Sequence, residues 1–282
     1  METRERTDLK SEVSMSESIE KKYFEEERKN LIVEYINKNA KATVPELCTE
    51  FSVSSATIRN DLRALANKGL INRTHGGAIS NQNVSFEQEN REKSVRRVEA
   101  KEAIAQLAAE YIREGDSICL DAGTTMYKLA QRLTAFRELT VVTYDIGIAN
   151  FLENHTSNRV IIAGGMIRKK FNYTVGEMAL AVLERLNVDT FFLTANGVCL
   201  QKGLSTPDIE TSRLKRTMIS NSNTTILLAD SSKVDAVSFA RFAGFEDLDV
   251  VITDQDVAPA FVKGLERQEI LVKLAKYRGS RQ

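Results

Sequence analysis

Residues 42–79 read ATVPELCTEFSVSSATIRNDLRALANKGLINRTHGGAI, and the order of helix, turn, helix and hairpin signals here decides the fold of the first part of the chain. Val44 to Phe51 is a short helix whose Pro45 falls in the first turn, where a missing backbone N–H is tolerated. Ser52-Val53-Ser54 makes a tight turn, and Ser54 is a good N-cap for a third helix running to about Lys68. At 100° per residue, Ile58, Leu62 and Leu65 fall within about 60° of one another and form an inward stripe. The opposite face carries Ala56, Arg59, Asn60, Arg63 and Asn67. Gly69 ends the helix. Leu70–Arg73, Thr74–Gly77 and Ala78–Ile79 then read as strand, turn and strand, with Gly76 and Gly77 expected to adopt backbone conformations barred to other residues. Upstream, Leu31, Ile32, Tyr35 and Ile36 recur at helical spacing and give an amphipathic helix from Glu26 to Asn39.

The side chains on the outward face suit duplex DNA. Guanidinium groups such as those of Arg59 and Arg63 pair with guanine edges or phosphates, and an amide such as that of Asn60 pairs with adenine. Ser54, Ser55 and Thr57 at the helix start can donate hydroxyl bonds to phosphates, and Arg73 and His75 in the hairpin are placed for phosphate or the minor groove. A plain solvated helix face and an ordinary hairpin turn are the alternative readings of the same residues. The whole chain has no net charge, with 39 basic and 39 acidic residues. A local excess survives that balance: Ser52 to Ser80 carries Arg59, Arg63, Lys68 and Arg73 against Asp61 alone.

Taken as one string, these residues resemble the winged helix-turn-helix of the DeoR (deoxyribonucleoside repressor) family. The matching pieces are VPEL, the FSVS turn, the TIRNDLRAL helix, the GLINR strand and the HGGA wing tip. Asn60 departs from the second arginine that the family usually carries after Arg59, so the operator preference at that contact is expected to differ.

Beyond the hairpin the composition changes. Residues 81–97 are polar and charged and read as a linker, and 1–25 read as a mobile extension. The expected domains are therefore 26–80, a winged helix-turn-helix, and 98–282, a mostly parallel α/β unit. In the latter, apolar strands at Ser117–Asp121, Leu139–Thr143, Arg159–Ala163, Asp189–Ala195, Thr224–Asp230, Asp249–Thr253 and Glu269–Val272 alternate with helical stretches, the pattern of a parallel sheet covered on both faces.

Ligands of such sheets bind at strand ends. Asp121-Ala122-Gly123-Thr124-Thr125 lies between a strand and a helix, where free N–H groups, hydroxyls and the helix dipole favour an anion. Many such turns hold no ligand, and Asp121 either ends the strand or accepts bonds from ligand hydroxyls. Thr143, Gly165, Arg168, Asn196, Gly197 and Lys233 fall at other strand ends, and Glu210 on a nearby helix. Lys233 can neutralise a phosphate, whereas the Arg168–Lys170 run reads equally as a solvated turn.

In order, GDSICLDAGTT, TVVTYDIGIAN, VIIAGGMIRK, ANGV, GLS, LLADSSK and VVITD look like the C-terminal effector domain of the same family. The resemblance covers about Arg28 to Pro259. It implies a fold similar to ribose-5-phosphate isomerases and CoA transferases, and a phosphorylated sugar or related metabolite as effector, contacted by the DAGTT turn and Lys233. Thr143-Tyr144-Asp145 stands where the family usually reads TNS, so effector identity does not transfer.

The resemblance thus implies a repressor of a carbohydrate-metabolism operon, binding double-stranded operator DNA as a homodimer or homotetramer and released by the metabolite. An isomerase-like enzyme with an appended DNA-binding domain is the alternative. Glu210 and Lys233 can nominally serve as base and enediolate partner. The acidic Gly-rich loop of the isomerases (resembling DGADE) is missing, however, and the strand end reads ANGV. A DNA-binding scaffold whose second domain only oligomerises is a third class. Cys48, Cys119 and Cys199 are too widely spaced for a disulfide framework or zinc site and read as buried thiols. No metal and no cofactor is expected. An apolar content of 42% with no long apolar run and no secretory signal points to the cytoplasm, away from membranes.

Overall fold

The structure, a computed structural model, describes residues 24–39, 41–80, 87 and 90–278. Apart from Phe24 and Glu25, the extension expected over 1–25 lies outside these residues, as do 81–86, 88 and 89 of the expected linker. Two compact units divide the chain, Met1–Asn81 and Gln82–Gln282. No helix of the described residues is long and apolar enough to cross a membrane.

The first unit runs α1 (Glu25–Asn39), β1 (Lys41–Thr43), α2 (Val44–Phe51), α3 (Ser55–Asn67), β2 (Ile71–Thr74) and β3 (Gly77–Ser80). Thr43 and Glu46 start α2 with a reciprocal capping box: the Thr43 N–H donates to Glu46 Oε2 at 2.7 Å and the Glu46 N–H to Thr43 Oγ1 at 3.4 Å. Ser52 turns the chain out of α2 in the left-handed region (φ 52°), and Ser54 caps α3 by accepting from the Thr57 N–H at 3.2 Å. At the far end, Gly69 N to Ala66 O and Leu70 N to Leu65 O satisfy the last carbonyls. Ile32, Ile36, Leu47, Phe51, Ile58, Leu62 and Leu65 form the small core.

Strand order is β1-β3-β2, both pairings antiparallel. That close pairing corrects the reason given for the glycine pair. Neither Gly76 nor Gly77 has a positive φ. A Cβ on Gly77 would instead lie 2.0 Å from the carbonyl oxygen of Ala42, so the glycine is needed for backbone approach.

The second unit opens with α4 (Asn90–Ser94) and α5 (Val98–Ala109), followed by β4 (Ser117–Leu120), α6 (Thr124–Arg132), β5 (Thr140–Thr143), α7 (Ile146–His155) and β6 (Arg159–Ile162). Next come β7 (Met166–Arg168), β8 (Tyr173–Val175), α8 (Glu177–Leu183), β9 (Val188–Leu193), β10 (Gly197–Cys199), β11 (Gly203–Thr206) and α9 (Ile209–Ser220). The unit ends with β12 (Ser222–Leu228), β13 (Ala240–Ala243), β14 (Val250–Asp254), α10 (Pro259–Glu266) and β15 (Leu271–Ala275).

Seven strands form one sheet in the order β15-β14-β12-β9-β4-β5-β6, every neighbouring pair parallel. Alternation along each strand feeds two cores. Ile118, Leu120, Val141 and Ile226 pack with Ile104 of α5, Leu129 of α6 and Leu152 of α7. Cys119, Val142, Phe191 and Leu227 face the other way, onto Leu183 of α8, Leu214 of α9 and Leu265 of α10. This is the doubly covered parallel sheet that strands alternating with helices imply.

Three features depart from the sequence expectation. A β7–β8 hairpin and a three-stranded β10-β11-β13 sheet occupy stretches read only as strand-end loops. The third lies in the polar run read as a linker: its described part is α4 plus a buried Glu87 side chain, 6% exposed, paired with Arg168 and Lys93. Glu87, Lys93 and Arg97 there are held in ion pairs.

Candidate nucleic-acid interface and effector site

Helix α3 buries Ile58, Asp61, Leu62 and Leu65, which turns Ser54, Ser55, Arg59, Asn60 and Arg63 outward as exposed residues, with Thr57 half-buried. Arg63 Nη1 donates to Asn60 Oδ1 at 3.2 Å, so those two side chains already lie together along the outer face. Asp61, the lone acid of the local charge excess, points inward instead. It is 3% exposed and receives Arg28 Nε at 2.6 Å and Nη2 at 3.3 Å. The outer face of α3 therefore carries cationic and polar side chains and no acid. Arg73 and His75 are exposed on the hairpin. Amides and guanidinium groups displayed on a rigid helix are the chemistry that reads base edges and phosphates.

At the carboxyl ends of the parallel strands the second unit holds three linked polar clusters. The first surrounds Asp121, which is fully buried. Its Oδ2 accepts from the Thr194 N–H and Oγ1, each at 2.7 Å, and from the Lys215 ammonium. Its Oδ1 accepts from the Ala122 N–H at 2.8 Å and from the Tyr144 hydroxyl. Five protein donors thus occupy both oxygens of Asp121, which accords with the reading in which it ends the strand. Burial beside this carboxylate drives the Tyr144 hydroxyl well above its ordinary pKa.

The second cluster joins two helix starts. Asp145 caps α7 by accepting from the Gly147 and Ile148 N–H groups at 2.8 and 3.1 Å, and its other oxygen accepts from the Gly123 N–H at 3.1 Å. Gly123 sits at φ 130°, where no other residue is comfortable, as the N-cap of α6. Burial pushes the Asp145 carboxyl up to about 6, against the pull of those three N–H groups. Thr124 is half-buried and Thr125 buried in the first turn of α6. Thr143 is fully buried, its hydroxyl accepting from the Asp145 N–H at 3.1 Å.

The third cluster centres on Glu87, which receives Lys93 Nζ at 2.7 Å, the Arg168 guanidinium and, at 3.4 Å, Asn196 Nδ2. Burial raises this carboxyl, but the two cations win and hold it below the usual range. Arg168 also lies 4.2 Å from the Phe171 ring centroid and donates to the Tyr173 hydroxyl. Nearby, Arg97 Nη2 binds Ser231 Oγ at 2.7 Å and Asp256 at 3.0 Å. The Lys101 ammonium is held by the Lys93 carbonyl at 2.7 Å, and burial pushes its pKa down to about 8. Lys233 is half-buried, and its charge lowers the Lys93 pKa after the larger effect of burial.

Of the residues singled out from the sequence, Asp121, Gly123, Thr124, Thr125, Thr143, Arg168, Asn196 and Lys233 thus belong to strand ends that these clusters connect. Gly165 and Gly197 are close-approach positions, where a Cβ would lie 2.6 Å from the carbonyl oxygens of Val175 and Ala236 respectively. Glu210 is apart from the clusters and sits 3.8 Å from Arg213 on the same helix. Sequence reasoning missed Glu87, Lys93, Arg97, Lys101 and Thr194. Lys215 carried a usable signal: it is a lone cation on the Thr211–Leu214–Met218 inward stripe of α9, which demands a buried partner. Cys119 and Cys199 are buried, whereas Cys48 is only half-buried. Among the described residues no group of His, Cys, Asp and Glu is placed to hold a metal ion.

Comparison with known proteins places this geometry in context. The DeoR-like helix-turn-helix domain matches residues 28–84 and the DeoR C terminal sensor domain residues 96–255. The HTH-type transcriptional regulator GlpR of Haloferax volcanii is 38% identical over 81% of this chain and 89% of its own length. GolR of Listeria innocua, also an HTH-type transcriptional regulator, is 33% identical over 90% of this chain and its full length. The lactose phosphotransferase system repressor of Staphylococcus epidermidis is 34% identical, covering 82% of this chain and 92% of its own. Among solved structures, ribose 5-phosphate isomerase A of Methanocaldococcus jannaschii overlaps 48% of this chain and 53% of its own, at 16% identity and a TM-score of 0.36, too low to rest an argument on.

Proposed function

Because this chain belongs to the DeoR family of transcriptional regulators, we propose that it represses a carbohydrate-metabolism operon and leaves its operator when the second unit binds a small phosphorylated metabolite. The chain is a DNA-binding regulator and not an enzyme, as its named relatives are. The observation that carries the reading is the outer face of α3, where Arg59, Asn60 and Arg63 stand exposed beyond a buried Ile58–Leu62–Leu65 stripe.

In a helix-turn-helix the second helix of the motif enters the major groove with its N-terminal part leading. Here Ser54, Ser55 and Thr57 serve the phosphates at that end, Arg59, Asn60 and Arg63 face the bases, and Arg73 and His75 hold the flanking backbone from the wing. Two heads of a homodimer or homotetramer dock on half-sites about 34 Å apart, or multiples of that.

The metabolite's anionic group is received at the strand ends. The start of α6 offers N–H groups and the positive end of a dipole. Lys233 offers a charge that also acts on the buried Asp230 carboxylate, and Arg168 and Asn196 offer donors at other strand ends. A carbohydrate target is supported by a relative named as a lactose phosphotransferase system repressor. The ligand weakens operator binding only as far as it prefers the state that is off DNA.

The test uses purified full-length protein and DNA from upstream of its own gene. Selective protection of one segment, relieved by one member of a sugar-phosphate panel, is the expected result. Equal affinity for that segment and for unrelated duplex removes the repressor reading. Selective binding that no sugar phosphate relieves removes the effector class.

A further inference from the structure

At Glu87 and from Asn90 to Lys101 the second unit's N-terminal stretch is pinned to the strand-end loops at several points. Asn90 donates its backbone N–H to the Lys170 carbonyl at 3.4 Å and its side chain to the Phe171 carbonyl. Lys93 lies 5.9 Å from the Phe171 ring centroid, and Arg97 reaches the ends of β12 and β14. The Glu87 side chain is 6% exposed and inserts a carboxylate among Lys93, Arg168 and Asn196. Two of those three groups, Arg168 and Asn196, are ones the sensing reading assigns to the ligand.

The charge balance at this spot is uneven. Lys93 and Arg168 face Glu87 directly, and Lys233, whose charge also acts on the buried Asp230 carboxylate, adds to the field at the Lys93 ammonium. One carboxylate therefore sits between two cations. Buried like charges repel, and a bound dianion would neutralise them better than a single carboxylate does. A planar carboxylate and a phosphate present oxygens of the same kind to a guanidinium fork.

We propose that Glu87 is a built-in competitor for the effector: its carboxylate fills the anion site of Lys93, Arg168 and Asn196, and a phosphate group entering there expels Glu87 and unpins the strap that leads from the reading head. The inference rests on the anion-sensing reading above and supplies its regulation. A phosphate ligand then sees only the fraction of molecules in which Glu87 is out, so apparent affinity is reduced by that fraction. Expulsion also changes the segment through which the two units are joined in sequence, which gives the ligand a differential hold on the DNA-competent state.

The experiment titrates inorganic phosphate into full-length wild-type protein and Glu87→Gln by calorimetry. The variant is expected to bind about tenfold more tightly, since an uncharged amide competes poorly for the cations. Phosphate binding by wild type that is no tighter in Glu87→Gln overturns the competitor and leaves the anion reading standing. No phosphate binding by either form overturns both. A second measurement needs no variant: amide exchange of wild type with and without phosphate. Faster exchange at the Asn90, Arg96 and Lys101 amides, which are bonded to the Lys170, Lys93 and Arg97 carbonyls, supports the proposal. Unchanged exchange under saturating phosphate overturns it.

Discussion

Arg59 shows what a single position contributes and how much of it the sequence reveals. Its place opposite Ile58, Leu62 and Leu65 follows from helical period alone, and the side chain is exposed as that period requires. Arg59→Ala is expected to weaken operator binding by about 1–3 kcal/mol if the guanidinium pairs with a base, read by fluorescence anisotropy on labelled duplex. Lys233→Ala is expected to leave DNA affinity unchanged and abolish release by the metabolite, and a variant that responds normally dissociates Lys233 from the ligand. Asp121 was less legible. Its neighbours in sequence suggest a ligand, yet the groups that occupy it, Tyr144 and Lys215, lie 23 and 94 residues away and no local pattern announces them. Asp145 carries a pH signature. Its carboxyl is raised by burial to about 6 in the folded protein, so the neutral form is favoured by folding. That contribution is complete below the unfolded pKa near 4 and is lost as pH rises through about 6. Asp145→Asn is expected to remove this part of the decline, seen as a shallower fall in melting temperature between those pH values than wild type shows.

Helices were more legible than strands, for a physical reason. A helix announces itself locally through period and caps, and Ser54 marks the start of α3 as the sequence suggests. Short antiparallel strands depend on partners elsewhere: β1 is three residues long and is defined by pairing with β3, and β13 by pairing with β11. Two predictions belong at this scale. The Arg28–Asp61 pair ties α1 to α3 in a buried setting, and replacing Asp61 removes both hydrogen bonds that it accepts from the guanidinium. Asp61→Ala is expected to cost the reading head about 3–5 kcal/mol, measured as the loss of amide-exchange protection in α1 and α3. Gly77→Ala places a methyl against the β1 backbone and is expected to cost about 1–3 kcal/mol, with protection lost in β1 and β3 while the parallel sheet keeps its own.

The chain joins a helix with an exposed cationic face to a parallel sheet whose strand ends hold buried charges. The doubly covered sheet was legible, because strands alternating with helices admit few other architectures. The ion pairing of the polar segment after the first unit was not, because its charges look solvated until Arg168 and Asn196 are brought to Glu87 by the fold. Under the proposed function, linkage makes the two activities reciprocal: any factor by which a metabolite weakens operator affinity must equal the factor by which operator weakens metabolite affinity. All of this presupposes that α3 reads DNA with its arginine-bearing face. Quantitative footprinting of the full-length protein and its Arg59→Ala/Arg63→Ala double variant, on DNA from upstream of its own gene, tests that most directly. Wild type is expected to protect a discrete segment and the double variant to lose that preference, while both retain the same metabolite-induced rise in melting temperature. Protection of the same segment at the same protein concentration by the double variant would contradict the account.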